Sequence, residues 1–218
     1  MSRKDQNAVT HLSFISGITG VILAGGKSLR FGKNKAFAEI NGIPLIERVI
    51  NILGLVFDDL IIVTNEPGEY SFLGLPMYED LIKGLGPIGG IYTGLEKIRN
   101  NAGFFAACDM PFMNEDLIRH MAGIDNGFDA VVPKIDWKME PLHALYSKTC
   151  LPAIKGLIES KQFMINIFFQ KIHVRFLNEE EIRVHDPLLR SFFNINRQDE
   201  LSDALNRGST PGEKIVNR

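Results

Sequence analysis

A glycine-rich, basic segment is the first feature of this chain that could do chemistry. It reads LAGGKSLRFGKNK from residue 23 to residue 35 and follows a short β-branched run. Its glycines let the backbone approach a ligand and direct N–H groups at it. Backbone donors combined with fixed positive charge suit a triphosphate, so the segment is predicted to bind an anion. Four cations occur within nine residues: Lys27, Arg30, Lys33 and Lys35.

Two better-known phosphate-binding motifs do not describe this segment. A P-loop has four residues between its glycines, followed by Lys and then Ser or Thr. Here five residues separate Gly26 from Gly32, and Lys33 is followed by Asn34. The GxGxxG of dinucleotide-binding folds does not occur within residues 23–35 either. The plain alternative to an anion site is a solvated basic turn.

Asp109 is the candidate metal ligand. It follows a third predicted strand, Phe104 to Cys108, and strand ends form the ligand crevice of an open α/β sheet. Mg²⁺ is commonly held by one or two carboxylates together with substrate phosphates. The structural alternative is an acid that begins a turn before Pro111. Cys108 beside it is interpreted as a buried strand residue and not as a nucleophile.

Other polar residues near predicted strand ends are candidates for substrate contact. Asp80 precedes a glycine-rich turn and is predicted to contact a nucleotide, its alternative being a surface acid beside Glu79. Thr64 and Asn65 end the second strand and could either read a base or form a turn. His143 is a candidate substrate contact, although a histidine at a strand start is more often structural.

Two late asparagines and one tryptophan have open assignments. Asn194 and Asn196 lie in the late segment Phe193 to Asn196, and their residue types alone assign them no ligand. Asn196 also has the spacing to Asp199 of a helix N-cap and its capping partner, which explains it without a ligand. Trp137 could stack on a planar substrate or cap the core.

Composition excludes several classes of protein. The chain has 218 residues, 45% of them hydrophobic and 23% charged, which is ordinary for a globular protein. A net charge of −2 argues against a general nucleic-acid binder. No apolar run approaches the roughly 18 residues of a membrane span. Two cysteines without a CxxC pair favour a reducing compartment, so a cytoplasmic protein without a membrane partner is expected.

The elements that must position these residues alternate between strand and helix. Strands are predicted at 18–23, 60–63, 104–108, 130–132, 144–146 and 173–177, and helices at 44–53, 88–98, 114–121 and 197–206. This alternation predicts an α/β fold with a mainly parallel sheet and helices on both faces. We expect a single domain at 18–207, with a flexible leader at 1–17 and a loose tail at 208–218.

Four segments together resemble nucleotidyltransferases of the MobA type, the molybdenum cofactor guanylyltransferases. The first segment resembles the family signature LAGGxSxRxGxxK, and the others resemble ED…GPLxGI, CDxP and NxNTPEEL. The segment EPLHALY at 140–146 is similar to one found in bacterial members. The resemblance covers about residues 20–205. The matching positions are, for the four segments in order, Leu23 to Gly26, Ser28, Arg30, Gly32 and Lys35; Glu79, Asp80 and Gly86 to Gly90; Cys108 to Pro111; and Phe193 to Asn196 with Asp199 to Leu201.

This resemblance implies a three-layer, Rossmann-like nucleotidyltransferase that uses GTP and Mg²⁺. GMP would pass from GTP to the terminal phosphate of molybdopterin, with release of pyrophosphate. Arg30, Lys35 and Asp109 would be catalytic, and Asp109 would hold the metal. Asn194 and Asn196 would be contacts to metal, product or pterin. The partners implied are GTP, molybdopterin and the proteins that mature molybdoenzymes. The nucleotide-binding set would be Leu23, Ala24, Gly25, Gly26, Lys35, Asp80 and Asp109.

Other functions of the same segments stay open. The fold also suits a cytidylyltransferase acting on molybdopterin, or an enzyme acting on a sugar phosphate or polyol phosphate. The family usually carries arginine at 161–168, where this chain has only Lys161 as a basic residue. A non-catalytic nucleotide-binding module is the alternative from another class. It would be expected to lack some of Lys35, Asp80 and Asp109, all of which are present.

Overall fold

The computed structural model describes residues 13–25, 34–124 and 127–195 of the chain. Its strands agree closely with those expected from the sequence, and the run Ile18–Leu23 has the predicted bounds. The ten strands of the described part are β1 (Ile18–Leu23), β2 (Glu39–Ile40), β3 (Ile43–Pro44), β4 (Leu60–Val63), β5 (Met77–Tyr78), β6 (Ala102–Ala107), β7 (Ala130–Ile135), β8 (Lys138–Met139), β9 (His143–Ser147) and β10 (Val174–Leu177).

Three of the four predicted helices, at 44–53, 88–98 and 114–121, match described helices to within three residues at each end. Asn114 accepts a hydrogen bond from the backbone N–H of Leu117, which confirms its predicted role as an N-cap. The predicted helix at 197–206 lies outside the described residues. The α-helices are α1 (Leu45–Val56), α2 (Pro67–Tyr70), α3 (Pro87–Lys97), α4 (Glu115–Ala122), α5 (Leu151–Glu159), α6 (Ile165–Phe169) and α7 (Glu179–His185).

One sheet organises the domain, with strand order β10-β7-β9-β6-β1-β4-β5 and β8 paired to β7. β1 lies between β4 and β6 and runs parallel to both, with Leu23 opposite Val63 on one side and Ala107 on the other. Because these strands end level with one another, the residues that follow them come together at one edge of the sheet. β9 pairs antiparallel with both β6 and β7. The prediction of a mainly parallel sheet is therefore confirmed, with β9 as a reversed strand.

Helices cover both faces of the sheet, as predicted. Successive residues of β1 point to opposite faces: Ile22 belongs to the core under α1, α4 and α7, and Val21 to the core under α3, α5 and α6. Both side chains are fully buried. This three-layer arrangement accounts for the continuous apolar character of β1, since both of its faces are covered.

Part of the expected leader is held against the domain. The backbone N–H of Ile15 donates to the carbonyl of Val56 at 2.8 Å, and the Arg119 guanidinium donates to the carbonyl of Ser13 at 3.0 Å. The rest of the leader and the expected tail lie outside the described residues. Within the described ranges, no helix has the length and apolar character required to cross a membrane.

Candidate active site

A cavity of about 1000 Å³ lies where the carboxyl ends of β1, β4, β5 and β6 meet. Each of these strands is followed by polar or backbone groups that line the cavity, which is the position of ligand sites in open α/β sheets. The lining that follows the strands comprises Ala24 and Gly25 after β1, Thr64 and Asn65 after β4, Asp80 after β5, and Cys108 and Asp109 after β6.

Lys35 and Asp109 form an ion pair inside this cavity. The Lys35 ammonium donates to the Asp109 carboxylate, and the side chains are 21% and 12% exposed. Their partial burial weakens solvent screening and strengthens the attraction of each charge for a ligand. The structure thus brings together the predicted cation of the basic segment and the predicted metal ligand.

Asp109 is held in place by backbone contacts on both sides of its strand end. The N–H of Met110 donates to the carbonyl of Ala107 at 3.3 Å, forming the turn that ends β6. The N–H of Ile195 donates to the carbonyl of Asp109 itself at 3.0 Å. Asn194, a candidate substrate contact, is therefore one residue from this bond and is half-buried. Asn196 lies outside the described residues.

The donor set at Asp109 suits a hard cation that completes its shell with phosphate oxygens. Among the residues that the structure describes, no group of three His, Cys, Asp or Glu side chains could hold a metal ion by itself. Mg²⁺ needs no such cage, because it retains waters and binds one or two carboxylates with substrate phosphates. The Asp109 carboxylate at the cavity wall can be one of these ligands.

Asp80 follows the edge strand β5 and Asp109 follows β6, so the two acids lie at opposite ends of the row of strands that forms the cavity. The side-chain amide of Asn65 donates to its carboxylate at 2.7 Å, and the backbone N–H of Asp80 donates back to the Asn65 side chain at 3.3 Å. This two-way contact orients Asp80 at the cavity wall. Thr64 accepts a hydrogen bond from the N–H of Glu66 at 3.2 Å, so its hydroxyl shapes the turn after β4.

The start of the glycine-rich segment lies where the sequence predicts. Ala24 donates its N–H to the carbonyl of Val63 at 2.9 Å, which continues the β1–β4 ladder to the cavity. Gly25 is exposed there, and a side chain added to it would meet no atom within 4 Å, so its backbone is open to a ligand. Gly26, Lys27, Arg30 and Lys33 lie outside the described residues.

The first turn of α3 forms another part of the cavity wall. Gly86 precedes it with φ of 62°, a left-handed conformation that favours glycine, and Pro87 occupies the first turn. That turn contains no acidic residue. The N-terminus of α3 therefore presents partial positive charge to the same space as Lys35.

His143 does not reach the cavity. Its side chain is fully buried, and its ring makes edge contacts with Phe104 and Phe192, each with centroids 5.1 Å apart. Burial lowers the pKa of its imidazole to about 3, while Asp186 opposes the shift. No described group forms a hydrogen bond with either ring nitrogen. The structure thus favours the structural interpretation of this histidine over substrate contact.

The structure also bears on the expectations for Cys108 and Trp137. Cys108 is buried and free, as expected, although it lies one residue after the end of β6, and burial raises the pKa of its thiol to about 12, with Asp109 adding to the shift. Trp137 is 93% exposed at the tip of the β7–β8 hairpin, so the interpretation of Trp137 as a cap on the core is wrong. Neither Trp137 nor any residue of 161–168 lines the cavity.

Sequence reasoning missed a group of residues beside Lys35. Asn34, Glu69 and Tyr70 line the cavity and are joined by hydrogen bonds, with Asn34 donating to the other two side chains. Glu69 and Tyr70 lie on the short helix α2, which carries no motif. The available signal was their place after β4, because chain segments that follow strand ends form the crevice.

Comparisons with known proteins agree with this geometry. The family described as "MobA-like NTP transferase domain" matches residues 20–172. The chain is 38% identical over 192 residues to the molybdenum cofactor guanylyltransferase of Desulfosudis oleivorans, covering 87% of this chain and 95% of that protein. It is 35% identical over 193 residues to a probable molybdenum cofactor guanylyltransferase of Clostridium perfringens, covering 87% and 96%.

A solved structure shows the same architecture. The molybdopterin-guanine dinucleotide biosynthesis protein A of Archaeoglobus fulgidus superposes with a TM-score of 0.76 at 29% identity, covering 88% of this chain and 98% of that one. The resemblance inferred from the four sequence segments is thereby confirmed. With a matching family, similar relatives and a cavity at the expected strand ends, this chain belongs to the MobA-like NTP transferase domain family.

Proposed function

We propose that this enzyme transfers GMP from GTP to the terminal phosphate of molybdopterin, forming the guanine dinucleotide cofactor and releasing pyrophosphate. The observation that carries the proposal is the meeting of Lys35 and Asp109 in one cavity at the ends of parallel strands. The names of the relatives support the choice of GTP and molybdopterin. The recipients of the product would be the proteins that mature molybdoenzymes.

The reaction is a phosphoryl-type displacement that needs positioning and charge neutralisation. An oxygen of the acceptor phosphate attacks the α-phosphorus of GTP; that bond forms as the bond from the α-phosphorus to its bridging oxygen breaks, and pyrophosphate leaves. The acceptor oxygen is already ionised, so no general base is required. Lys35, the amide at Gly25 and the N-terminus of α3 supply positive charge to the nucleotide.

Asp109 would hold Mg²⁺, and Arg30 would add charge from the basic segment. Bound Mg²⁺ supplies neutralisation of negative charge on the phosphate oxygens. The Lys35 ammonium lies against the same carboxylate, so the amine is placed to meet the phosphates beside the ion that Asp109 would hold. Leu23 to Gly26 and Asp80 would bind the nucleotide, and Asn194 and Asn196 would contact the acceptor or the product. A cytoplasmic location belongs to the same proposal.

A nucleotide panel tests this function. The purified chain is incubated with Mg²⁺, molybdopterin and each of GTP, CTP, ATP and UTP, and pyrophosphate release is measured with the mass of the product. GTP should give molybdopterin-dependent release and the guanine dinucleotide. Preferential turnover of CTP would instead identify a cytidylyltransferase. Saturable GTP binding without pyrophosphate release from any nucleotide would identify a non-catalytic module.

A further inference from the structure

We infer that Asn34 is a positioning residue for the reaction, because it holds the turn that carries Lys35. Lys35 lies in the 3-10 turn Lys35–Phe37, and Asn34 is the N-cap of that turn. The side-chain oxygen of Asn34 accepts a hydrogen bond from the backbone N–H of Ala36 at 3.1 Å. An N-cap of this kind fixes the first turn and therefore the direction in which its side chains leave the backbone. The inference rests on the proposed function for the role of Lys35.

The amide nitrogen of Asn34 is itself held by two residues of α2. It donates to the Glu69 carboxylate at 2.6 Å and to the Tyr70 hydroxyl at 2.8 Å. The bond to Glu69 is charge-assisted and therefore stronger than a neutral one. Two hydrogen bonds restrict rotation of the Asn34 side chain. They also connect the turn that carries Lys35 to helix α2.

Aromatic packing fastens the same two elements at a second place. The ring of Phe37, in the turn, lies 5.0 Å from the ring of Tyr70, centroid to centroid. Tyr70 is 2% exposed, and burial raises the pKa of its hydroxyl to about 12, so this anchor stays neutral over the working range of pH. Lys35 is thus flanked by two contacts to α2: the hydrogen bonds of Asn34, the residue before it, and the ring packing of Phe37, two residues after it.

The chemistry at position 34 calls for an amide. The Ala36 N–H requires an acceptor and the Glu69 carboxylate requires a donor, and asparagine offers both in one short side chain. An aspartate at this position would keep the acceptor for Ala36 but would set two carboxylates against each other. This difference between Asn and Asp allows positioning to be separated from simple loss of a side chain.

A double-mutant cycle tests whether Asn34 acts through Lys35. We expect Asn34→Ala to lower kcat/KM for GTP by about 10- to 100-fold, the cost of misplacing a catalytic group. The same change in a Lys35→Ala background should lower it less than about 2-fold, because coupled residues are not additive. Losses that multiply in the double variant would show that Asn34 has only a structural role and would overturn the inference.

A reciprocal exchange tests the contact with Glu69. Asn34→Asp should lower kcat/KM, and the double change Asn34→Asp with Glu69→Gln should recover most of the loss, because the glutamine amide now donates to the aspartate. Wild-type turnover in Asn34→Asp, or no recovery in the double variant, would contradict the proposed bridge. Asn178→Ala is the matched control: Asn178 caps α7 in the same manner, outside the cavity lining, and its loss should leave kcat/KM unchanged.

The equilibrium binding of GTP separates this inference from the proposed function. If the wild-type chain binds GTP but does not transfer GMP, the proposed function fails. The double-mutant cycle is then measured with GTP dissociation constants in place of kcat/KM. Non-additive losses of affinity in Asn34→Ala and Lys35→Ala would then still support the inference. Additive losses of affinity would contradict the inference whether or not the proposed function holds.

Discussion

The ion pair between Lys35 and Asp109 joins two residues that are 74 positions apart in the chain. Each was a candidate by itself, one as a cation in a glycine-rich segment and the other as an acid at a strand end. Their pairing in the cavity means that the phosphates of a nucleotide and the Asp109 carboxylate compete for the same ammonium. A ligand that brings its own cation removes this competition, which is a physical reason to expect metal-dependent binding.

Removing the charge of Asp109 should abolish most of the metal-dependent activity. Asp109→Asn keeps the shape of the side chain but removes the negative charge that would hold Mg²⁺ and pair with Lys35. We expect pyrophosphate release to fall by about 100-fold or more, on the scale of lost electrostatic stabilisation. The measurement is a titration of activity against Mg²⁺ concentration, with circular dichroism to check the fold.

Asp116→Asn provides the control for this prediction. Asp116 is exposed in the first turn of α4 and does not line the cavity, so its loss should leave the Mg²⁺ titration unchanged. Turnover of Asp109→Asn at the wild-type rate would refute the assignment of Asp109 as the metal ligand.

At the scale of elements, α3 is placed by glycines that let it approach the sheet. A side chain on Gly90 would lie 3.1 Å from Leu23 of β1, and one on Gly94 would overlap the ring of Phe105 on β6. These close contacts bring the N-terminus of α3 to the cavity, beside the end of β1. The GGIYTG pattern at 89–94 is thus explained by helix–sheet packing as well as by the turn at Gly86.

Adding a side chain at Gly94 should destabilise the protein. Gly94→Ala would force the new methyl group against the buried Phe105 ring and within 3.0 Å of Val21. Overpacking of this kind costs about 1 to 3 kcal/mol, which exceeds the gain in helix propensity from alanine. The free energy of unfolding, measured in urea, should fall by that amount.

Gly156→Ala is the matched control, with the opposite expected sign. Gly156 is exposed in α5, and an added side chain would meet no atom within 4 Å. Alanine there should stabilise the chain by about 0.4 to 1 kcal/mol, because it restricts the unfolded state without a clash. Equal effects of the two substitutions would show that packing of α3 on the sheet does not limit the size of the side chain at residue 94.

At the scale of the whole molecule, a buried neutral histidine links folding to pH. His143 lies in the core between Phe104 and Phe192, and burial lowers its pKa to about 3. In the unfolded chain its pKa is near 6.5. Above pH 6.5 the ring is neutral in both states, and its packing contributes fully to stability. As the pH falls from 6.5 toward 3, the unfolded state binds a proton that the folded state does not, so stability decreases.

Replacing His143 should therefore reduce the acid sensitivity of the fold. One such proton costs about 1.4 kcal/mol for each pH unit below 6.5, or about 2 kcal/mol between pH 6.5 and pH 5. We expect the wild-type chain to lose that much more unfolding free energy than His143→Leu when urea denaturation is compared at pH 7.5 and pH 5. The comparison uses the difference between pH values, so a change in overall stability of the variant does not affect it.

His120 supplies the control for the acid titration. Burial also lowers the pKa of its ring, with His185 adding to the shift, but its side chain is only partly buried. His120→Gln should therefore change the pH dependence much less than His143→Leu does. Identical pH dependence in wild type and His143→Leu would mean that His143 can bind a proton in the folded state.

The sequence alone determined the local features of this protein. Asn114 predicted the start of α4, and the alternation of apolar runs predicted a layered α/β fold; both are confirmed. The anion site indicated by the glycines and cations after β1 stays a prediction. These signals are local, because caps, turns and burial patterns depend on residues a few positions apart.

Tertiary structure alone decided which of these features meet. The direction of β9 depends on its neighbours β6 and β7, and no local pattern encodes it. His143 was a candidate for the site until packing against Phe104 and Phe192 placed it in the core. Glu69 and Tyr70 showed no motif, and Asn34 had no assigned role within the basic segment. The three nevertheless meet beside Lys35, because contacts between residues distant in sequence form only when the sheet brings strand ends and helices together.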